Sequence, residues 1–85
     1  MTDKTYNGHK NWAHWNVALW IGNDEGLYRY AQECITTARR KRTGDAAIAR
    51  YAACLFIAGN GTERTPDGAR YSIVATTAAM RGMME

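Results

Sequence analysis

The run from Asn11 to Ile21 reads Asn-Trp-Ala-His-Trp-Asn-Val-Ala-Leu-Trp-Ile and holds all three tryptophans of the chain. No Asp, Glu, Lys or Arg interrupts it. On a helical repeat, Trp12, Trp15, Asn16 and Leu19 share one face, while Ala13, Val17, Trp20 and Ile21 share another. A helix that is apolar nearly all round is buried or covered on two sides. The pattern therefore predicts a helix at the centre of the fold, with Trp12, Trp15 and Leu19 inward. Val17 and Trp20 are expected to face a second layer or a partner. Asn16 is the polar exception on the inward face. Buried, it needs hydrogen-bond partners, and tying two chain segments together suits it better than binding a ligand.

The chain has 85 residues, so a single domain is expected. A domain this small buries a modest share of its surface. It must lean on large side chains, and three Trp, five Tyr and one Phe supply them. The formal charge of +3 admits an acidic partner without requiring one. Cys34 and Cys54 lie in apolar surroundings. Two cysteines make no disulfide framework of the secreted kind, and both are expected to be buried and reduced. Met1 to Lys10 reads as a polar arm, with a turn at Asn7-Gly8 and Tyr6 folding back on the body. It lacks the apolar region of a signal peptide. The longest apolar run, Tyr51 to Ala58, is too short to span a bilayer. These features point to a cytosolic protein with no membrane role.

Local signals divide residues 11–85 into helices. Asn11 caps the first, and Gly22 is expected to end it. Asp24 caps the second, whose stripe is Leu27, Ala31, Cys34, Ile35 and Ala38. Arg39, Arg40, Lys41 and Arg42 close it, where cations oppose the negative end of the helix dipole. Asp45 is the expected cap of a third helix. Its larger face carries Ile48, Ala52, Leu55 and Phe56, its smaller one Ala46, Ala49, Ala53 and Ile57. Gly59-Asn60-Gly61 ends it. Thr65-Pro66-Asp67-Gly68 has the residues of a tight turn. Ser72 caps a last short helix, with a strand over residues 69–74 as the competing reading. The predicted fold is all-α: a compact bundle of three to four short helices in one domain. The predicted core is Trp12, Trp15, Leu19, Leu27, Ala31, Ile35, Ile48, Ala52, Leu55 and Phe56.

Chemistry is sparse. His9, His14, Cys34 and Cys54 match no compact zinc spacing. There is one serine, no phosphate-cradling glycine loop and no carboxylate pair on a shared face. No catalytic residue, metal or cofactor is expected. The basic run Arg39–Arg42 has two readings, dipole complementation on a solvated face or contact with an acidic or phosphate-bearing partner. A helix-turn-helix over residues 39–45 would carry an almost wholly apolar recognition helix, which cannot read base edges. Arg50 is the one charge within the third helix after its first residue. Trp20, off the main face, is the tryptophan best placed for a partner.

Lys10 to Ile21, followed by Asn23-Asp24-Glu25-Gly26-Leu27-Tyr28, resembles a family of short proteins encoded by bacteriophages, prophages and plasmids. The family pattern is N-W-x-x-W-N-V-A-L-W-I, then N-D-x-x-x-Y. Arg64-Thr65-Pro66-Asp67-Gly68 and Tyr71 resemble its second block. His14 stands where the family commonly has Thr. The family has no established activity, so the resemblance carries over no catalytic residue. It implies a mobile-element accessory protein, and it suggests that the Thr65–Tyr71 turn closes over the tryptophan helix.

Together these readings predict a non-enzymatic binding module acting in the host cytoplasm. The leading expectation is an inhibitor of a bacterial defence complex, of the anti-CRISPR kind. Its target would be a host protein or a defence ribonucleoprotein. The expected contact residues are Arg39, Arg40, Lys41, Arg42, Arg50 and Trp20. The alternative is a nucleic-acid-binding accessory protein using the Arg39–Arg42 cluster. A homodimer through Ala46, Ala49 and Ala53 is a further expectation.

Overall fold

A computed structural model describes residues 11–85, which form four helices. The expectations for residues 1–10 (the polar arm, Tyr6, the Asn7-Gly8 turn and His9) lie outside the described residues. Helix α1 runs Trp12–Asn23, α2 Glu25–Lys41, α3 Asp45–Gly59 and α4 Ile73–Met84. Neighbours pack in a closed ring, α1 on α2, α2 on α3, α3 on α4 and α4 on α1. The result is a compact all-α single domain.

The caps show why the elements begin and end where they do. The Asn11 side chain accepts the His14 N–H, and the Ser72 side chain accepts that of Ala75. Asp24 serves two helices at once. Its N–H donates to the Trp20 carbonyl and ends α1, while its carboxylate accepts the Leu27 N–H and starts α2. That first bond carries α1 through Gly22 to Asn23, past the glycine expected to stop it. The cap of α3 is Gly44, not Asp45. Its φ of +94° is a conformation that suits glycine, and Asp45 becomes the first helical residue. No strand forms over residues 69–74. Arg64 and Arg70 make an isolated bridge, and α4 begins at Ile73.

The centre is Phe56, fully buried, with the Tyr30 ring 5.3 Å and the Tyr71 ring 5.6 Å from it in tilted contact. Around it the core is rich in alanine: Ala31, Ala38, Ala49, Ala52, Ala53 and Ala75 are each 0% exposed. Small side chains let the backbones approach, so a short chain closes a bundle with few bulky residues. Thr76 is also fully buried.

Five of the ten predicted core residues, Ala31, Ile35, Ile48, Ala52 and Phe56, are buried. Leu27 and Leu55 are half-buried at the edge. The prediction for α1 is corrected. Val17 and Ile21 are its buried apolar residues, Trp12 is 39% exposed, and Trp15 and Leu19 are half-buried. The helix is rotated so that the face expected to look outward looks in. Its apolar pattern runs all round and does not fix a rotation. The alanine face of α3 is corrected too. Ala49 and Ala53 are covered within the chain, and only Ala46 is exposed, so that face is not available to a second copy.

Candidate partner-binding site

Two groups of residues stand out, one that holds α1 and one that faces solvent. The first begins with the turn Thr65-Pro66-Asp67-Gly68. The Gly68 N–H donates to the Thr65 carbonyl and the Thr65 N–H to the Ala69 carbonyl, while Gly68 takes a φ of +101°. This is the bonding of a three-residue hairpin loop closed by a glycine bulge. The loop presents two side chains to α1. The Thr65 hydroxyl donates to Asn16 Oδ1 at 2.6 Å and accepts the Ala69 N–H at 3.0 Å. Asp67 Oδ2 accepts both Asn16 Nδ2 and Trp20 Nε1, each at 2.9 Å. Asn16 and Trp20 are one helical turn apart, so a single carboxylate reaches both. The two bonds hold the Asp67 carboxyl below its ordinary pKa, because they favour the charged form. Asn16 thus ties helix to loop, and the turn does close over the tryptophan helix. Trp20, expected as a partner residue, is half-buried with its N–H engaged by Asp67.

The second group is the basic end of α2 and the face of α3 beside it. Arg39, Arg40, Lys41, Arg42 and Arg50 are all exposed. The helices run antiparallel here: Tyr30 early in α2 bonds the carbonyl of Leu55 late in α3, while Arg42 at the end of α2 meets Tyr51. The Arg42 guanidinium lies 4.7 Å from the Tyr51 ring centroid and donates to the Lys41 carbonyl at 2.9 Å. Arg42 and Arg50 line one recess of about 390 Å³ with Tyr51, Cys54 and Leu55. Arg40 lines a different hollow beside Arg29, and Arg39 another beside Met83 and Met84. Successive residues turn about the helix, so the basic run spreads over several faces. Trp20 lines none of these hollows.

Among the described residues there is one ion pair, Arg29 to Glu25 at 2.6 Å. Arg39, Arg40, Lys41, Arg42 and Arg50 therefore have no carboxylate within ion-pair distance there. Sequence reasoning did not find Tyr51, Cys54 and Leu55 as companions of Arg50. The signal was the spacing Arg50–Cys54 and Tyr51–Leu55, two neighbouring rows on a helix. Cys54, expected to be buried, is exposed because it shares its row with Arg50; Cys34 is buried, and both thiols are free. Burial raises the Cys34 pKa, with the Tyr30 hydrogen bond lowering it in part. Burial raises that of Tyr30 as well, and the neighbouring Cys34 adds to the shift.

Among the described residues no group of three or more His, Cys, Asp or Glu side chains is arranged to hold a metal ion. No described helix is long and apolar enough to cross a membrane. No curated protein and no solved structure matches the chain. A family model matches residues 2–85, nearly the whole sequence, and the chain accordingly belongs to DUF7249, a family of unknown function.

Proposed function

We propose that this chain is a non-enzymatic binding module of phage or mobile-element origin. It docks on an acidic face of a host protein or defence ribonucleoprotein and blocks it, as anti-CRISPR proteins do. The observation that carries the reading is the set of exposed cations without carboxylate partners among the described residues. Dipole complementation accounts for cations in the last turn of α2, since the effect fades within one turn. It does not account for Arg50, within α3 and on the same recess as Arg42. The origin rests on the resemblance of Lys10–Ile21 and Arg64–Tyr71 to phage and plasmid proteins.

The test is phage plating on bacteria with an active CRISPR system, with and without the expressed chain. Plating should be restored by the natural chain and not by Arg39→Glu/Arg40→Glu/Lys41→Glu, with both proteins melting at the same temperature. Equal restoration by the triple variant, or no restoration across several system types, overturns the reading. The same cations suit phosphate, the second reading. Binding to duplex or single-stranded DNA that falls steeply with salt would favour it.

A further inference from the structure

The recess at Arg42 and Arg50 has a floor, which a merely solvated basic face does not need. Tyr51 and Leu55 are half-buried one turn apart, and Arg50 and Cys54 stand beside them, both exposed. A second hollow of about 210 Å³, lined in part by Tyr30, Glu33 and Leu55, follows along the seam of α2 and α3. Leu55 belongs to both. The seam is therefore a short track with two arginines at one end, Glu33 at the other and apolar side chains between.

We infer that this track binds an acidic peptide segment of a partner protein, carboxylates on Arg42 and Arg50, one large apolar side chain on Tyr51 and Leu55. The inference rests on the proposed function and names the chemistry of its partner. Arg42 is already placed. Its guanidinium sits against Tyr51 and bonds the Lys41 carbonyl, so it loses little freedom on meeting a carboxylate. The same contact disfavours a nucleic-acid strand. Base stacking needs a free aromatic face, and Arg42 lies over the one ring of this recess.

Fluorescence anisotropy tests this with a labelled peptide carrying Asp and Glu on one side of a single Phe, so that its acidic end meets Arg42 and Arg50 and not Glu33. Three comparisons accompany it: Asn and Gln in place of the acids, Ser in place of Phe, and a labelled single-stranded oligonucleotide. The acidic Phe peptide should bind saturably, and each peptide change should weaken it about tenfold, as loss of one good contact does. Arg50→Glu and Cys54→Trp, the latter filling the recess without changing charge, should weaken it as much. Arg81→Glu, on α4, should not, and circular dichroism should show all variants folded. Unchanged peptide binding in Cys54→Trp, no saturable binding, or tighter binding of the oligonucleotide at the same residues overturns the inference. The two ideas fail separately. Plating lost in the triple reversal but kept in Cys54→Trp, with peptide binding also kept, removes the track and leaves the inhibitor. Peptide binding lost in Cys54→Trp, with plating never restored by any form, removes the inhibitor and leaves the track.

Discussion

Replacing Thr65 by valine changes almost nothing in shape and removes one hydroxyl. That hydroxyl donates to Asn16 Oδ1 and accepts the Ala69 N–H. Thr65 is 4% exposed, Asn16 1% and Ala69 2%, so water does not replace the lost partner freely. A buried group left without its hydrogen bond costs about 1–3 kcal/mol, and here two are orphaned. The expected loss is about 2–6 kcal/mol. Serine is the control: it keeps the hydroxyl and drops a methyl, costing about 1 kcal/mol. Whole domains of this kind are stable by only about 5–15 kcal/mol, so the valine variant loses a large share. Urea unfolding followed by tryptophan fluorescence and by far-ultraviolet circular dichroism measures both. The midpoint should fall much further for Thr65→Val than for Thr65→Ser, with the urea slope unchanged. A valine variant as stable as the serine one would show that the hydroxyl does not hold the loop to α1.

The carboxylate of the same network gives a pH dependence. Its folded pKa lies below the unfolded value, so its contribution is present above about pH 4 and is lost as pH falls through the depressed folded value. The stability gap between the natural chain and Asp67→Asn should be wide at pH 6 and shrink at pH 2.5; a constant gap contradicts the assignment. Gly59→Ala should destabilise despite the better helix propensity of alanine, because a Cβ there falls on the Tyr30 hydroxyl. A Tyr30→Phe background should soften the loss, and Gly22→Ala, with nothing within 4 Å, should stabilise by about 0.5–1 kcal/mol. Equal effects at Gly59 and Gly22 in thermal melts would refute this. A thiol reagent should modify Cys54 at once and Cys34 only on unfolding. Two fast thiols by mass spectrometry would refute the burial of Cys34.

Much of the fold was legible because local chemistry decides it. Asn11, Asp24 and Ser72 cap the helices they were expected to cap, since a side-chain oxygen three residues ahead of a free N–H needs no tertiary help. The α2 stripe Ala31, Cys34, Ile35 and Ala38 is buried as expected because its other faces are polar. Where the sequence pattern was apolar on every side, in α1 and α3, periodicity left the inward face open. Both errors follow from that, the outward Trp12 and the covered Ala49 and Ala53. The candidate site was legible as charge and illegible as shape. The run Arg39–Arg42 is visible in the chain, but its pairing with Arg50 across Tyr51 exists only once α2 and α3 lie antiparallel.

The rotation of α1 shows what a polar group adds to an alanine-rich core. Turned by half a revolution, α1 would offer Trp12, Trp15 and Leu19 in place of Val17 and Ile21. On area alone that is the better burial, since aromatic side chains remove more surface from water. The observed rotation forgoes that area. It places Asn16 where the Thr65 hydroxyl and the Asp67 carboxylate meet it, and it brings the Trp20 N–H to the same carboxylate. In the other rotation the loop's hydroxyl would lose its acceptor and the Asn16 amide its two partners. A few kcal/mol of unpaired polar groups would offset a difference in apolar area that half-buried tryptophans partly recover. The network thus favours the observed rotation, the one in which all of its polar groups are paired. It draws its members from the two blocks, Asn11–Ile21 and Arg64–Tyr71, that stand out in the sequence.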